Sequence, residues 1–128
     1  MPILDVEIVL KPSEMLSRDL APELANRAGE VFGAAPGTTW VKVSAIAAEH
    51  YAENGGPPEG VYPVFVSVLK AKLPTAAELQ TEIASLTAAV AQVCARPPEN
   101  VHVIYLPEGS GRVAFGGKQV TPDDSATG

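Results

Sequence analysis

Hydrophobic and polar positions recur along this chain in an order that runs through twice. Residues 2–10, PILDVEIVL, are Ile, Leu and Val interrupted by Asp5 and Glu7, the pattern of a buried or half-buried strand. KPSEMLSRD then reads as a turn. From Asp19, a favourable N-cap residue, Leu20, Leu24, Ala28 and Val31 fall at helical spacing, with Pro22 tolerated in the first turn and Gly33 as the stop. TTWVKVSAI (38–46) is β-branched and aromatic and predicts a second strand, and residues 47–60 form a loop rich in Gly and Pro.

The same order follows again. VYPVFVSVLK (61–70) predicts a strand and residues 75–95 a long helix, with Thr75 and Glu78 at capping-box spacing and an apolar stripe of Leu79, Ile83, Leu86, Val90 and Val93. NVHVIYL (100–106) predicts a fourth strand, GRVAFGGKQV (111–120) a short strand or hairpin, and TPDDSATG a polar, frayed tail. One constant offset aligns Pro12 with Pro74, Leu24 with Leu86, Val31 with Val93, Pro36 with Pro98 and Val41 with Val103. That register suggests a duplicated β-α-β unit, approximately 2–46 and 62–106, followed by a C-terminal hairpin and tail over 107–128. The expected architecture is α+β: a single domain spanning 1–128, a two-layer sandwich of four strands with two helices on one face. With no third helix to cover the other sheet face, the expected cover is a second subunit.

Composition narrows the function classes. At 128 residues, 46% hydrophobic and 19% charged, the chain reads as one globular domain able to bury a core. A net charge of −6 with nine basic residues argues against nucleic acid and anionic membranes as partners. No apolar run is long enough to span a bilayer, and Asp5 and Glu7 stand where a signal peptide would be basic, so a cytoplasmic location is expected. The single cysteine, Cys94, lies on the apolar side of the second helix and reads as core packing. No metal-ligand spacing, phosphate loop or Ser-His-Asp pattern is present, so no cofactor is expected.

The candidate chemistry starts at Pro2. Once Met1 is removed, Pro2 carries a secondary amine anchored by the strand that follows. Burial disfavours the ammonium form, and a neutral amine near pH 7 is a competent general base for a proton alpha to a carbonyl. A cationic amine would serve instead as an acid, and a neutral one could also attack a carbonyl carbon. Lys70 and Lys72, two apart at the end of the third strand, are expected to project from one face, where two ammonium groups could bind a carboxylate or stabilise an enolate. Solvated lysines at a strand edge would look the same. Arg112, in a glycine-flanked segment, is a cation able to close over an anionic substrate or simply to face solvent.

Met1-Pro2 followed by a doubled strand-helix-strand layout resembles the tautomerase superfamily, with MPILDVE, FGAAPGTTWVKV, ARPPENVHVIY and VAFGG as the local matches. The resemblance covers residues 2 to about 120. It implies a homotrimer whose active sites surround each Pro2 and are built partly from a neighbouring chain. It also implies that His102 lines the site across the subunit interface, as a donor or proton shuttle, and that Phe115 walls the pocket. Related enzymes place substrate-binding arginines near the Lys70–Lys72 strand end. Ile104, Ala34 and Ala114 depart from relatives that carry a polar residue, a lysine and a water-activating glutamate there, and Ala114 counts against hydrolytic dehalogenation. The resulting expectation is a cofactor-independent tautomerase or isomerase acting on a small anionic keto or enol acid. The alternatives are a decarboxylase or hydratase with a cationic proline, and a non-catalytic trimeric ligand-binding module.

Overall fold

The computed structural model describes residues 2–121; Met1 and the polar tail from 122 onward lie outside the described residues. Six strands, two α-helices and two short 3-10 turns follow in the order β1 (Ile3–Val9), α1 (Leu20–Phe32), β2 (Trp40–Ile46), β3 (Val64–Leu69), α2 (Ala76–Cys94), β4 (Val101–Tyr105), β5 (Ala114–Phe115) and β6 (Lys118–Gln119), with the turns at Ala48–His50 and Pro98–Asn100. The first four strands form one sheet in the order β2-β1-β3-β4. β1 and β2 run parallel, as do β3 and β4, while the central β1–β3 pair is antiparallel. Each strand-helix-strand half therefore contributes a parallel pair, and the antiparallel seam joins the halves. β5 and β6 form a separate hairpin.

Strand alternation decides what the sheet buries. Leu4, Val6 and Ile8 of β1 and Val64, Val66 and Val68 of β3 face the helices and are fully buried. They pack against Leu24 and Ala28 of α1 and Leu86, Val90, Ala91 and Cys94 of α2. The opposite parity, Asp5, Glu7, Lys42, Ser44, His102 and Ile104, lies on the other face, which the described chain leaves open. Burial pushes the Cys94 thiol up to about 11, the environment of a packing residue.

The helix ends follow the sequence with one exception. Thr75 Oγ1 accepts from Glu78 N at 3.3 Å while Glu78 Oε1 accepts from Thr75 N at 3.0 Å, the expected reciprocal cap. Gly33 ends α1 at a φ of 61°, where a side chain would be strained. Asp19, expected to cap α1, has backbone angles of −84° and −8°, already helical, and its side chain makes no cap bond. A capping side chain needs an extended backbone to reach forward, so α1 instead starts on backbone bonds, with Leu20 N donating to Ser17 O and Glu23 N to Asp19 O.

One further clasp ties the fold together. Arg96, just past α2, is 5% exposed. Its guanidinium donates to Val9 O, Tyr62 O and Cys94 O and forms a fork with the Glu14 carboxylate. It joins the exit of β1, the entry to β3 and the end of α2.

Candidate functional site

The site forms at the end of the sheet where β1 begins. Pro2 is buried, and its carbonyl accepts from Trp40 N at 2.9 Å, which fixes the start of β1 to the start of β2. Ile3 pairs with Trp40 on one side and Leu69 on the other, so one step beyond the ladder Pro2 stands between Thr39 and Lys70. Pro2 shares the parity of Leu4 and Lys70 that of Val68, so both lie on the helix-facing side.

Thr39 opens onto a groove of about 660 Å³ along the second half of α1 and the loop after it, lined by Asn26, Gly29, Glu30, Ala34 and Pro36 among others. Thr39 Oγ1 is buried without a hydrogen-bond partner, and the groove passes beside it. Small residues make the groove: a Cβ built on Gly29 would come within 3.8 Å of that hydroxyl.

The segment after β4 wraps the same end. Gly109 N donates to Lys70 O, Ser110 N to Ala71 O, and Leu73 N to the Glu108 carboxylate at 2.8 Å. Arg112 is thereby brought beside the 70–73 turn. It is exposed, and its Nε and Nη2 donate to Glu108 O at 2.9 and 2.6 Å. Phe115, on the terminal hairpin, meets Trp40 edge-to-face with centroids 5.1 Å apart. Trp40 is itself held by a bond from Nε1 to Gly37 O at 3.0 Å. Pro2, Trp40, Phe115, Lys72 and Arg112 are thus gathered at one end of the molecule by strand pairing and by the C-terminal wrap.

The two lysines do not form the expected pair of free ammonium groups. Lys70 keeps the buried parity of Val68, but the chain bends at Ala71 and Lys72, so alternation does not carry on to Lys72. Lys72 is exposed, whereas Lys70 is 8% exposed and turned into the sandwich. Its Nζ lies 2.9 Å from Glu82 Oε1 of α2 and 4.9 Å from the centre of the Phe32 ring. Tyr105 of β4 donates to the other Glu82 oxygen at 2.5 Å. Burial, and then the bond to Glu82, push the Tyr105 hydroxyl well above the usual phenol range, so it remains a donor.

His102 is not brought to Pro2 within one chain. It sits on the open face beside Phe65, ring centres 5.4 Å apart, in the row of Glu7. At about 3.3 Å per residue that row lies roughly 17 Å along β1 from Pro2. Phe65 also stacks on Tyr51, and Lys42 pairs with Asp5 at 3.1 Å on the same face. Trp40 and Ile104, also there, are each 51% exposed. Among the described residues no group of His, Cys, Asp and Glu is arranged to hold a metal ion, and no helix is long and apolar enough to cross a membrane.

Sequence reasoning had left Thr39, Glu82 and Tyr105 out of the site. Glu82 and Tyr105 each occupy a core-facing position of an element, which is a readable signal; Thr39 becomes visible only through the register of β2 against Pro2.

No family model matches the chain, and no curated protein matches it by sequence. Solved structures match it by shape. A structure of Pt0534 inactivated by 2-oxo-3-pentynoate has a TM-score of 0.73 at 18% identity, covering 98% of both chains. A fused 4-OT symmetric trimer has a TM-score of 0.74 at 16% identity, covering 92% of this chain and 94% of that one. Macrophage migration inhibitory factor from Trichinella spiralis has a TM-score of 0.71 at 10% identity, covering 91% and 98%. All three belong to the tautomerase superfamily. At such identities the likeness is one of fold.

Proposed function

Because this chain carries the tautomerase-superfamily fold, we propose that it is a cofactor-independent tautomerase or isomerase in which Pro2, exposed as the terminal residue by removal of Met1, is the general base. The observation that carries this reading is the position of Pro2: buried, and pinned through its carbonyl to Trp40, which packs on Phe115. Burial favours the neutral amine. That amine takes a proton from the carbon alpha to the keto group, or from the enol oxygen, and returns it at the other position; no bond to the enzyme forms and no redox partner is needed. Lys72 and Arg112 hold the substrate carboxylate, Phe115 closes one wall, and Thr39 offers a hydroxyl toward the groove. The substrate class is a small anionic keto or enol acid.

The same reading makes the protein a homotrimer. Its open sheet face, with Trp40 and Ile104 half exposed, is the surface a neighbouring copy covers. His102 then serves a neighbour's site rather than its own. The trimer of a fused 4-OT supports this assembly.

The test is ketonisation of phenylpyruvate and of 2-hydroxymuconate by the wild type and by Pro2→Ala, with intact mass recording whether Met1 is removed. The expected result is measurable wild-type turnover that falls by about 10²-fold or more in the variant. Absence of wild-type turnover, a variant that keeps all of it, or a retained Met1 would overturn the proposal. A terminal nitrogen still protonated at neutral pH would instead favour hydration or decarboxylation.

A further inference from the structure

A buried ammonium lies next to the proposed catalytic amine, and the chemistry assigned so far does not use it. Lys70 is the cross-strand neighbour of Pro2 on the helix-facing side, one step beyond the Ile3–Leu69 pair. It is fixed there by three elements: Glu82 of α2 at 2.9 Å, the ring of Phe32 at the end of α1, and the 109–110 segment that caps its backbone. Tyr105 occupies the second Glu82 oxygen. Stability alone does not explain the arrangement, because a buried ion pair replaced by apolar residues of similar volume is often no less stable. A methionine at position 70 would continue the Val64, Val66, Val68 row.

We propose that Lys70 is a positioning residue for the terminal amine: its buried ammonium, kept in place by Glu82 and Phe32, disfavours protonation of the Pro2 nitrogen and so holds it in the basic form. Cross-strand neighbours have Cβ atoms about 4.5–5.5 Å apart. With the lysine reaching across toward α2, the two nitrogens fall roughly 8–10 Å apart; at an effective dielectric of about 20, a unit charge there moves a titration midpoint by about 1.2–1.5 pH units. The Glu82 carboxylate, 2.9 Å from the ammonium, lies only slightly farther off and opposes most of this, so the intact pair lowers the midpoint by a few tenths of a pH unit, whereas removing the ammonium alone raises it by about one. The other charged or titratable groups around that end are Glu30 on α1, Glu78 on α2, Tyr105 on β4, and Lys72, Glu108 and Arg112 on the surrounding loops. Glu78 is engaged by Thr75, Tyr105 by Glu82, and Arg112 by the Glu108 carbonyl. Lys70 alone combines a full positive charge, burial and a place in the row of Pro2.

Lys70 can act this way only if Pro2 is the terminal base proposed above. The test therefore reads the amine directly, by titrating a 15N-labelled terminal proline by NMR in the wild type, Lys70→Met, Lys70→Arg and Glu82→Gln, alongside the acid limb of the kcat/KM profile. The expected result is a midpoint about one pH unit higher in Lys70→Met, unchanged in Lys70→Arg, and lower in Glu82→Gln, with the acid limb of the rate moving in step. A purely structural role predicts the same direction for Lys70→Met and Glu82→Gln, since both break one ion pair. No shift in Lys70→Met, an equal shift in Lys70→Arg, or a rise or no change in Glu82→Gln overturns the proposal. If Lys70→Met does not fold, Glu82→Gln decides. Should Pro2→Ala abolish turnover while the midpoints stay fixed, the base reading stands and the Lys70 role fails alone.

Discussion

Replacing Arg96 with methionine tests how much of the fold depends on one side chain. The guanidinium is 1% exposed and makes five hydrogen bonds, two to Glu14 and one each to the carbonyls of Val9, Tyr62 and Cys94. Hydrogen bonds to charged groups contribute about 1.5–3 kcal/mol each, so a simple total would rival the whole stability of a chain this long, about 6–19 kcal/mol. The bonds share one group and cannot be independent. A better guide is the removal of one partner of a buried ion pair, which costs about 3–5 kcal/mol. Methionine fills most of the arginine stem's volume, so the loss is electrostatic: the carbonyls of Val9, Tyr62 and Cys94 lose the guanidinium, and the Glu14 carboxylate keeps only its bond from Lys11 N. An unfolding entropy of about 2.1 cal/mol/K per residue gives roughly 0.27 kcal/mol/K for the chain, hence a Tm lowered by about 11–19 °C. The assay is thermal and urea unfolding of wild type, Arg96→Met and Arg96→Lys at one fixed protein concentration, since assembly would otherwise shift the apparent values. Lysine keeps the charge but loses the fork and should fall between the other two. A loss under about 1 kcal/mol in Arg96→Met would refute the view that this clasp joins β1, β3 and α2.

Two further outcomes follow from the same geometry. Glu14 is held below the ordinary glutamate value of 4.5, chiefly by its bond from Arg96, so its stabilising contribution is complete above that value and is lost as pH falls through its lower folded value. Unfolding midpoints measured from pH 6 down to pH 3 should therefore fall more steeply in the wild type than in Glu14→Gln; parallel curves would show that the pair contributes nothing. Leu86→Ala, at a fully buried position of α2, should lose about 2–5 kcal/mol by urea unfolding, and a smaller loss would mean that the helix layer closes over the gap.

Much of this fold was legible because the strands keep strict parity and the helices keep strict spacing. Val64, Val66 and Val68 fall on one face, and Leu79, Leu86 and Val90 on one stripe, so the sandwich follows from pattern alone. The misread residues have physical reasons. Lys70 continues the parity of the buried valines and Glu82 lies within the α2 stripe, three residues after Leu79 and four before Leu86, so each was readable as a polar group turned inward. That they meet, and meet Tyr105, depends on the crossover placing α2 over β3 and β4. Arg96 and Glu14, far apart in sequence, gave no local signal of their fork. Asp19 was misjudged because residue type favours a cap but backbone angle decides it.

The two parities of the sheet divide the work. Helix-side positions in the middle rows are wholly apolar and need no chemistry beyond packing. The same parity carried one row further, past the last paired residues, holds Thr39, Pro2 and Lys70: an unpartnered hydroxyl, a ring nitrogen and a buried ammonium. Core order thus extends up to the row that holds these three polar groups. Loops would tolerate more substitution but would position these atoms less exactingly, and about 1 Å of misplacement in a proton-transfer site can cost 10²-fold in rate. The amine of Pro2 gains its proposed role from that placement: it stands one residue ahead of β1, whose second residue, Leu4, already belongs to the hydrophobic core.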